Sequence, residues 1–260
     1  MKAEISLAIV TGGAGGIGNA VVRRLLDDGS TVVMLDANQR ALDKALAASA
    51  EHGQRIHGRC LDVSDPDAVH RCAEEVETNI GAPDALVTCA GLTRSGPAET
   101  MTFANWKLVL DVNLNGTFLC CQAFGKGMLA RNRGSIVTIT SSAGLGGSAG
   151  RANYSASKWA VIGLTKSLAI EWGHRRVRVN AIAPGPVNTE LLARVPERTR
   201  SGVFIDRTPL ARLAEPAEIA DAVRYLLSPG ASYVNGAVLA VDGGYSSGFN
   251  VTRSGTDFGV

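Results

Sequence analysis

No stretch of this sequence approaches the ~18 consecutive apolar residues that a membrane span requires. The first apolar run, Ile5–Val10, is too short for a signal-peptide core and runs straight into glycines, so the chain is expected in the cytoplasm. Charge of one sign is missing too: 26 Lys and Arg face 24 Asp and Glu, for a net charge of +2. The basic residues are spread along the chain, which leaves no tract able to follow a nucleic-acid backbone. The five cysteines (Cys60, Cys72, Cys89, Cys120, Cys121) form no Cys-x-x-Cys pair and read as reduced thiols. His52, His57, His70 and His174 lack metal-ligand spacing, so no zinc site is expected.

What is present in quantity is glycine, 30 of 260 residues, and an alternation of two patterns. Short, β-branched apolar runs recur at Ile5–Val10, Thr31–Leu35, Ile56–Cys60, Ala85–Cys89, Ser135–Thr140, Val177–Ile182 and Ala237–Val241. They are continuous rather than alternating, as expected of parallel strands buried on both faces. Helical patterns lie between them. Ile17, Val21, Val22, Leu25 and Leu26 share one face before Asp27-Asp28-Gly29 ends that helix, and Ser64-Asp65-Pro66 opens another. The order implies an α/β fold in which a doubly wound, seven-stranded parallel sheet carries helices on both faces. No repeat or linker divides the chain, so residues 1–260 are expected to form one domain. Asn188–Pro216, rich in arginine, and the tail Ser246–Val260 stand outside the alternation.

Thr11-Gly12-Gly13-Ala14-Gly15-Gly16-Ile17-Gly18 follows the first strand and opens the first helix. Glycines there allow a tight turn and bring backbone N–H groups to a pyrophosphate at the positive helix end. A plain loop is the competing reading, and the flanking strand and amphipathic helix favour nucleotide binding. The Lys-Ser/Thr ending of an ATP or GTP loop is missing. Asp36 ends the second strand, 18 residues after Gly18. A carboxylate there can accept hydrogen bonds from adenosine ribose hydroxyls and repel a 2′-phosphate, which favours NAD over NADP; its alternative role is a helix cap.

Tyr154 and Lys158 stand at i and i+4, on one helix face. Lowering a tyrosine pKa by ~3 units takes ~4 kcal/mol. One ammonium ~4 Å away at an effective dielectric of ~20 supplies about that much. Lys158 is therefore expected to tune Tyr154 as a general acid/base; an ordinary surface pair is the alternative. In chain order, the glycine turn, Asn113 in Asn-Leu-Asn-Gly, Ser141 and Tyr154-Ser-Ala-Ser-Lys158 resemble the short-chain dehydrogenase/reductase family. Tyr154 follows Ser141 by 13 residues, and Pro184-Gly185 comes after. The resemblance covers about Ser6 to Tyr245.

It implies a single-domain, three-layer Rossmann fold and an NAD-dependent exchange between a secondary alcohol and a ketone. Ser141, with Ser142 as its rival, would orient the substrate oxygen, and Tyr154 would exchange the proton. Lys158 would also hold the nicotinamide ribose. Asn113 would bend its helix locally and hold a relay water, unless it is merely a polar helix residue. Gly12, Gly16, Ile17 and Gly18 would cradle the pyrophosphate, and Asp62-Val63 would line the adenine, with Asp62 as a loop cap the alternative. Ala90-Gly91 would pass beside the cofactor, and Pro184, Gly185, Val187 and Thr189 would meet its carboxamide end. Two positions depart from the family pattern: Thr88-Cys89 precedes Ala-Gly where Asn-Asn is usual, and Thr138 stands where an Asn is common. Both bear on local rigidity rather than on the reaction.

The resemblance also implies a homo-oligomer, preferably a tetramer, using helices around Asn105–Arg131 and Asn153–Trp172, whose Leu119, Phe124, Leu164 and Leu168 fit either an interface or the core. The 188–216 segment would form a substrate lid. Its Arg194, Arg198, Arg200, Arg207 and Arg212 either bind a substrate anion or are solvated. The tail, with Phe249 and Phe258, is expected against a neighbouring subunit. An epimerase or dehydratase working by transient oxidation and a non-catalytic NAD-binding regulator are the rival functions. The four-residue set Asn113/Ser141/Tyr154/Lys158 speaks against the second.

Overall fold

Residues 5–193, 197 and 200–248 are described by a computed structural model. All seven expected strands form: β1 (Leu7–Thr11), β2 (Thr31–Asp36), β3 (Ile56–Cys60), β4 (Ala85–Thr88), β5 (Gly134–Ile139), β6 (Val177–Pro184) and β7 (Val238–Val241). They make one parallel sheet in the order β3-β2-β1-β4-β5-β6-β7.

The continuous apolar runs have a direct structural cause. Leu7, Ile9, Val33, Leu35, Leu86 and Ile136 project into one core beneath α3 (Pro66–Asn79), α5 (Gly116–Ala130) and α6 (Ala152–Gly173). Their strand neighbours Ala8, Val10, Val32, Met34, Val87 and Val137 project into a second core beneath α1 (Gly16–Asp27), α2 (Gln39–Ala47) and α8 (Pro216–Leu227). Every residue of β1 is buried. The result is three layers of the Rossmann type, with strand order reversing between β1 and β4, where a crevice opens at the strands' C-terminal ends.

Helix boundaries follow local chemistry. Gly29, at φ +90°, terminates α1, with the Gly29 and Ser30 amides donating to Leu26 and Leu25 carbonyls. Asp65 caps α3 by accepting from the Ala68 amide, with Pro66 following as the first helical residue. The helix expected from Asn105 is interrupted: α4 (Phe103–Leu110) passes into α5 through a π-helical segment, Asp111–Asn115, centred on Asn113. A short helix, α7 (Glu190–Ala193), follows β6.

The four apolar residues considered for an interface belong to the chain's own core. Phe124 and Leu168 are buried, and Leu119 and Leu164 pack against them. The large apolar side chains exposed on these helices are Phe103, Leu108, Phe118, Trp159 and Ile170 instead. Among the described residues, no helix is long and apolar enough to cross a membrane.

Arg178 joins the sheet edge to α8. Its guanidinium donates to the carbonyls of Leu226 (2.7 Å), Leu227 (3.2 Å), Ser228 (3.3 Å) and Val234 (3.4 Å). Arg178→Met keeps the stem and removes every donor, so it is expected to cost about 2–3 kcal/mol in urea unfolding. A loss below about 0.5 kcal/mol would show that solvent satisfies those carbonyls equally well.

Candidate active site

The glycine turn lies at the mouth of the crevice. The Gly13 amide donates to the Leu35 carbonyl (3.0 Å) and the Gly15 amide to the Gly12 carbonyl (3.1 Å). Gly12 has φ +61°, and a Cβ on it would lie 2.8 Å from the Ala90 backbone. A Cβ on Gly18 would fall 2.1 Å from the Gly12 carbonyl oxygen. Only glycine permits this approach. Ile17 is half-buried against the second core, anchoring the first turn of α1.

Asn38, Asp65 and Thr102 cap α2, α3 and α4, yet α1 begins at Gly15 with no side-chain cap and no acidic residue in its first turn. An open, uncapped helix end behind a backbone cradle is what a pyrophosphate requires, so these residues fit a dinucleotide. Asp36 spans the turn: one carboxylate oxygen accepts from Ala14 N (3.1 Å), the other from Asn38 N (2.9 Å). It is not the cap of α2, which is Asn38.

Asp62 accepts from both the amide (2.9 Å) and hydroxyl (2.7 Å) of Ser64, shaping its own exposed turn. Val63 is buried, with Gly116 so close that a Cβ there would lie 2.6 Å from it.

On the other side of the crevice, Asn113 is fully buried. Its Oδ1 accepts from Leu92 N (2.8 Å), while Nδ2 donates to Leu92 O (3.0 Å) and Ser157 Oγ (3.0 Å). Gly91 fits beside this amide, where a Cβ would sit 3.3 Å from Asn113 Oδ1 and 3.5 Å from Lys158 Nζ. Ala90 N donates to Thr11 Oγ1 (3.2 Å). Lys158 is 4% exposed, donates from Nζ to Ile139 O (2.8 Å), and lies 5.8 Å from the Tyr154 ring centroid. Ser141 accepts from Ala143 N (3.1 Å) and lies near enough to the Tyr154 phenol to pull its pKa down, which separates it from Ser142. Asn113, Ser141, Tyr154 and Lys158 are thus brought together.

The electrostatics differ from the sequence expectation. Burial pushes the Tyr154 phenol up from its ordinary 10.0; the Ser141 hydrogen bond and the Arg151 charge pull it back down. Lys158, expected as the tuner, donates to the Ile139 carbonyl, with its Nζ 5.8 Å from the centre of the Tyr154 ring. Burial lowers its own pKa from 10.5 to about 8, with Cys89 opposing. The Cys89 thiol is pushed up to about 12, chiefly by burial, and stays protonated. Thr138 pairs with Thr165 (2.7 Å) and reaches the Asn180 carbonyl, so this departure retains polar anchoring.

After β6, Gly185 packs against Asp242, with a Cβ there 2.7 Å from its Cα. Val187 is buried and bridges to Ala214. Thr189 abuts Gly16, where a Cβ would meet its Cγ2 at 2.6 Å. Loops from the first and sixth strands therefore touch beside the crevice. Of the arginines in the 188–216 segment, Arg212 is clamped by both Glu218 oxygens (2.7 Å each) and Arg207 lies over the Tyr245 ring (5.6 Å). Arg194, Arg198, Phe249 and Phe258 lie outside the described residues, as does the side chain of Arg200. Among the described residues, no group of His, Cys, Asp or Glu is placed to hold a metal.

Three residues of the site were not singled out from sequence. Ser157 receives Asn113 and donates to the Tyr154 carbonyl (2.7 Å). Thr140 donates to the Lys158 carbonyl (2.7 Å). Arg151 lies close enough to charge the Tyr154 environment. The first two act on backbone atoms, which spacing does not reveal; Arg151 had its position three before Tyr154 as a signal.

The family described as Enoyl-(Acyl carrier protein) reductase matches residues 12–246. A galactitol 2-dehydrogenase (L-tagatose-forming) of Cereibacter sphaeroides is 41% identical, covering 92% of this chain and 94% of the relative. A 3-oxoacyl-(acyl-carrier-protein) reductase of Thermotoga maritima is 36% identical, covering 94% and 99%. The crystal structure of gox2181 superposes with a TM-score of 0.90 at 36% identity, covering 94% of this chain and 96% of that one.

Lys158 gives the site a signature independent of any ligand. Between about pH 8 and 10.5 the unfolded chain keeps this lysine's proton while the folded chain has released it, so stability rises with pH through that window. The unfolding free energy of the wild type relative to Lys158→Met is expected to grow by about 3 kcal/mol between those limits. A pH-independent difference would mean that the ammonium is not desolvated.

Proposed function

The chain belongs to the short-chain dehydrogenase/reductase family, and from that premise we propose that it is an NAD(H)-dependent oxidoreductase interconverting a secondary alcohol and a ketone. The observation that carries this reading is the gathering of Ser141 and a buried Lys158 about Tyr154, with Lys158 Nζ 5.8 Å from the phenol ring one turn along the same helix. Family members use nicotinamide cofactors, and the bound nicotinamide supplies the hydride acceptor or donor.

The chain's residues supply the rest. Gly12, Gly16, Ile17 and Gly18 hold the pyrophosphate, Asp36 the adenosine ribose, and Asp62 and Val63 the adenine pocket. Ala90 and Gly91 flank the cofactor, while Pro184, Gly185, Val187 and Thr189 hold its carboxamide end. Lys158, with Tyr154, would hold the nicotinamide ribose. In alcohol oxidation the Tyr154 phenolate accepts the hydroxyl proton; in ketone reduction the phenol returns it. Ser141 donates to the substrate oxygen and steadies its developing negative charge.

Lys158 favours the phenolate through the charge of its ammonium. Ser141 and Arg151 add to it. Both Nδ2 protons of Asn113 are used, and its carbonyl, shared with Thr117 Oγ1 (2.8 Å), is an acceptor for a relay water.

Residues 1–260 form one cofactor-binding domain with a substrate lid at about 188–216. The exposed Phe118, Trp159 and Ile170 serve a homo-oligomer, preferably a tetramer.

An absorbance screen for NADH across secondary alcohols, run beside Tyr154→Phe, tests the chemistry. At least one alcohol is expected to turn over, with the variant reduced about 10²–10⁴-fold. Equal turnover by the variant, or none by the wild type, overturns the reading. Asp36→Ala is expected to raise the NADP/NAD ratio of kcat/KM about 10-fold or more, the size of a lost charged hydrogen bond. An unchanged ratio counts against Asp36 as the cofactor selector.

A further inference from the structure

The backbone N–H of Tyr154 has a partner that ordinary helix capping does not supply. An early helical amide has no carbonyl within its helix to meet, and a side-chain oxygen at the N-cap usually takes it up. Asn38, Asp65 and Thr102 do so for α2, α3 and α4, each accepting from the amide three residues on. In α6 the N-cap is Arg151, whose side chain makes no such bond, and the amide three residues on is that of Tyr154. Asn153 Oδ1 accepts it instead, at 2.7 Å, from inside the helix.

Burial marks a second difference. Asn38, Asp65 and Thr102 are exposed, whereas Asn153 is fully buried. Its Nδ2 donates away from α6, to Arg94 O (3.1 Å) in the segment after β4 and to Asn105 O (3.3 Å) in α4. A serine or aspartate at position 151 would complete the helix end without burying an amide. It would not tie the Tyr154 backbone to two other elements.

The Tyr154 carbonyl is held in a similar way. It accepts from Ser157 Oγ (2.7 Å), and Ser157 accepts from Asn113 Nδ2 (3.0 Å). Asn113 in turn bonds both the amide and the carbonyl of Leu92. One buried amide therefore holds the N–H of Tyr154 and the other, through Ser157, its C=O. Both reach the same stretch of chain, Leu92 to Arg94. Gly96 N, donating to Gly150 O (2.9 Å), closes that stretch against the approach to α6. Ser141 comes from the loop after β5, so the place of the phenol depends on how the start of α6 is set against the other walls of the crevice.

Resting on the dehydrogenase reading above, we infer that Asn153 is a positioning residue for the reaction: it fixes the Tyr154 backbone against α4 and the segment after β4, and thereby aims the phenol at the reacting oxygen. Asn153 acts through Tyr154 alone. A misplacement of ~1 Å in a reacting group lowers a rate about 100-fold, so bonds to the backbone of the proton-transfer residue bear directly on turnover.

The test is steady-state kinetics of Asn153→Ala on an alcohol that the wild type oxidises. kcat is expected to fall about 10- to 100-fold, while the dissociation constant of NADH, read by fluorescence, moves by less than about 3-fold. Asn153→Ser keeps a hydroxyl and leaves space for a water, so it is expected to lose only about 3- to 10-fold, and it serves as the variant to read if the alanine does not fold. Two comparisons separate positioning from lost stability. Arg178→Met removes bonds at the N-terminal end of β6, away from the crevice, and is expected to leave kcat within about 2-fold of wild type. In a Tyr154→Phe background, where the phenol is already gone, Asn153→Ala is expected to lower the residual rate by no more than about 2-fold.

A kcat within about 2-fold of wild type in every folded Asn153 variant overturns the inference. So does an equal loss in Arg178→Met, or the same additional loss with and without the phenol. Oxidation of no alcohol by the wild type counts against the dehydrogenase reading instead.

Discussion

A single amide side chain holds the two halves of the site together. Asn113 lies in the π-helical segment between α4 and α5, donates to and accepts from Leu92 after β4, and donates to Ser157 on α6. Three elements distant in sequence are fixed by one fully buried group. The π segment is the price of that reach, because the extra residue in the turn interrupts the regular ladder of backbone bonds. Ser157 carries the constraint onward to the Tyr154 carbonyl, so the loop beside the crevice and the helix bearing Tyr154 and Lys158 share one network. Loss of any member would leave a buried polar group unsatisfied.

The second organising feature is that charge is buried before any ligand arrives. Lys158 is almost wholly enclosed and held by one carbonyl, and its proton is accordingly loose. Tyr154 is enclosed as well, and burial alone would hold its proton tightly. The two shifts diverge, the lysine falling and the tyrosine rising under the same desolvation, while Ser141 and Arg151 resist the rise. Shifts of this kind cluster at functional sites.

Much of this was legible in the sequence, for identifiable reasons. All seven strands were readable because parallel strands buried on both faces leave uninterrupted apolar runs, and Leu7 and Ala8 do face opposite cores. The bend at Asn113 and the convergence of Ser141, Tyr154 and Lys158 followed from motif order. What spacing did not convey was the state of each side chain. Lys158 was expected to act on Tyr154 at close range, yet its ammonium turns to Ile139 O. The interface candidates Phe124 and Leu168 proved to be core, since helical periodicity does not say which of two apolar faces meets the sheet. Thr140 was invisible because it bonds a backbone atom, and Ser157 because spacing does not reveal that it links the Asn113 side chain to the Tyr154 carbonyl.

The bridge between Val187 and Ala214 separates two jobs that the chain must do at once. Asn188 N donates to Ala214 O (2.8 Å) and Ala214 N to Pro186 O (3.0 Å), which closes the excursion between them at its base. Because loop closure depends only weakly on loop length, that excursion can be lengthened, shortened or rewritten without loosening the sheet. Sequence change within that excursion is thereby kept apart from the strands whose ends form the crevice.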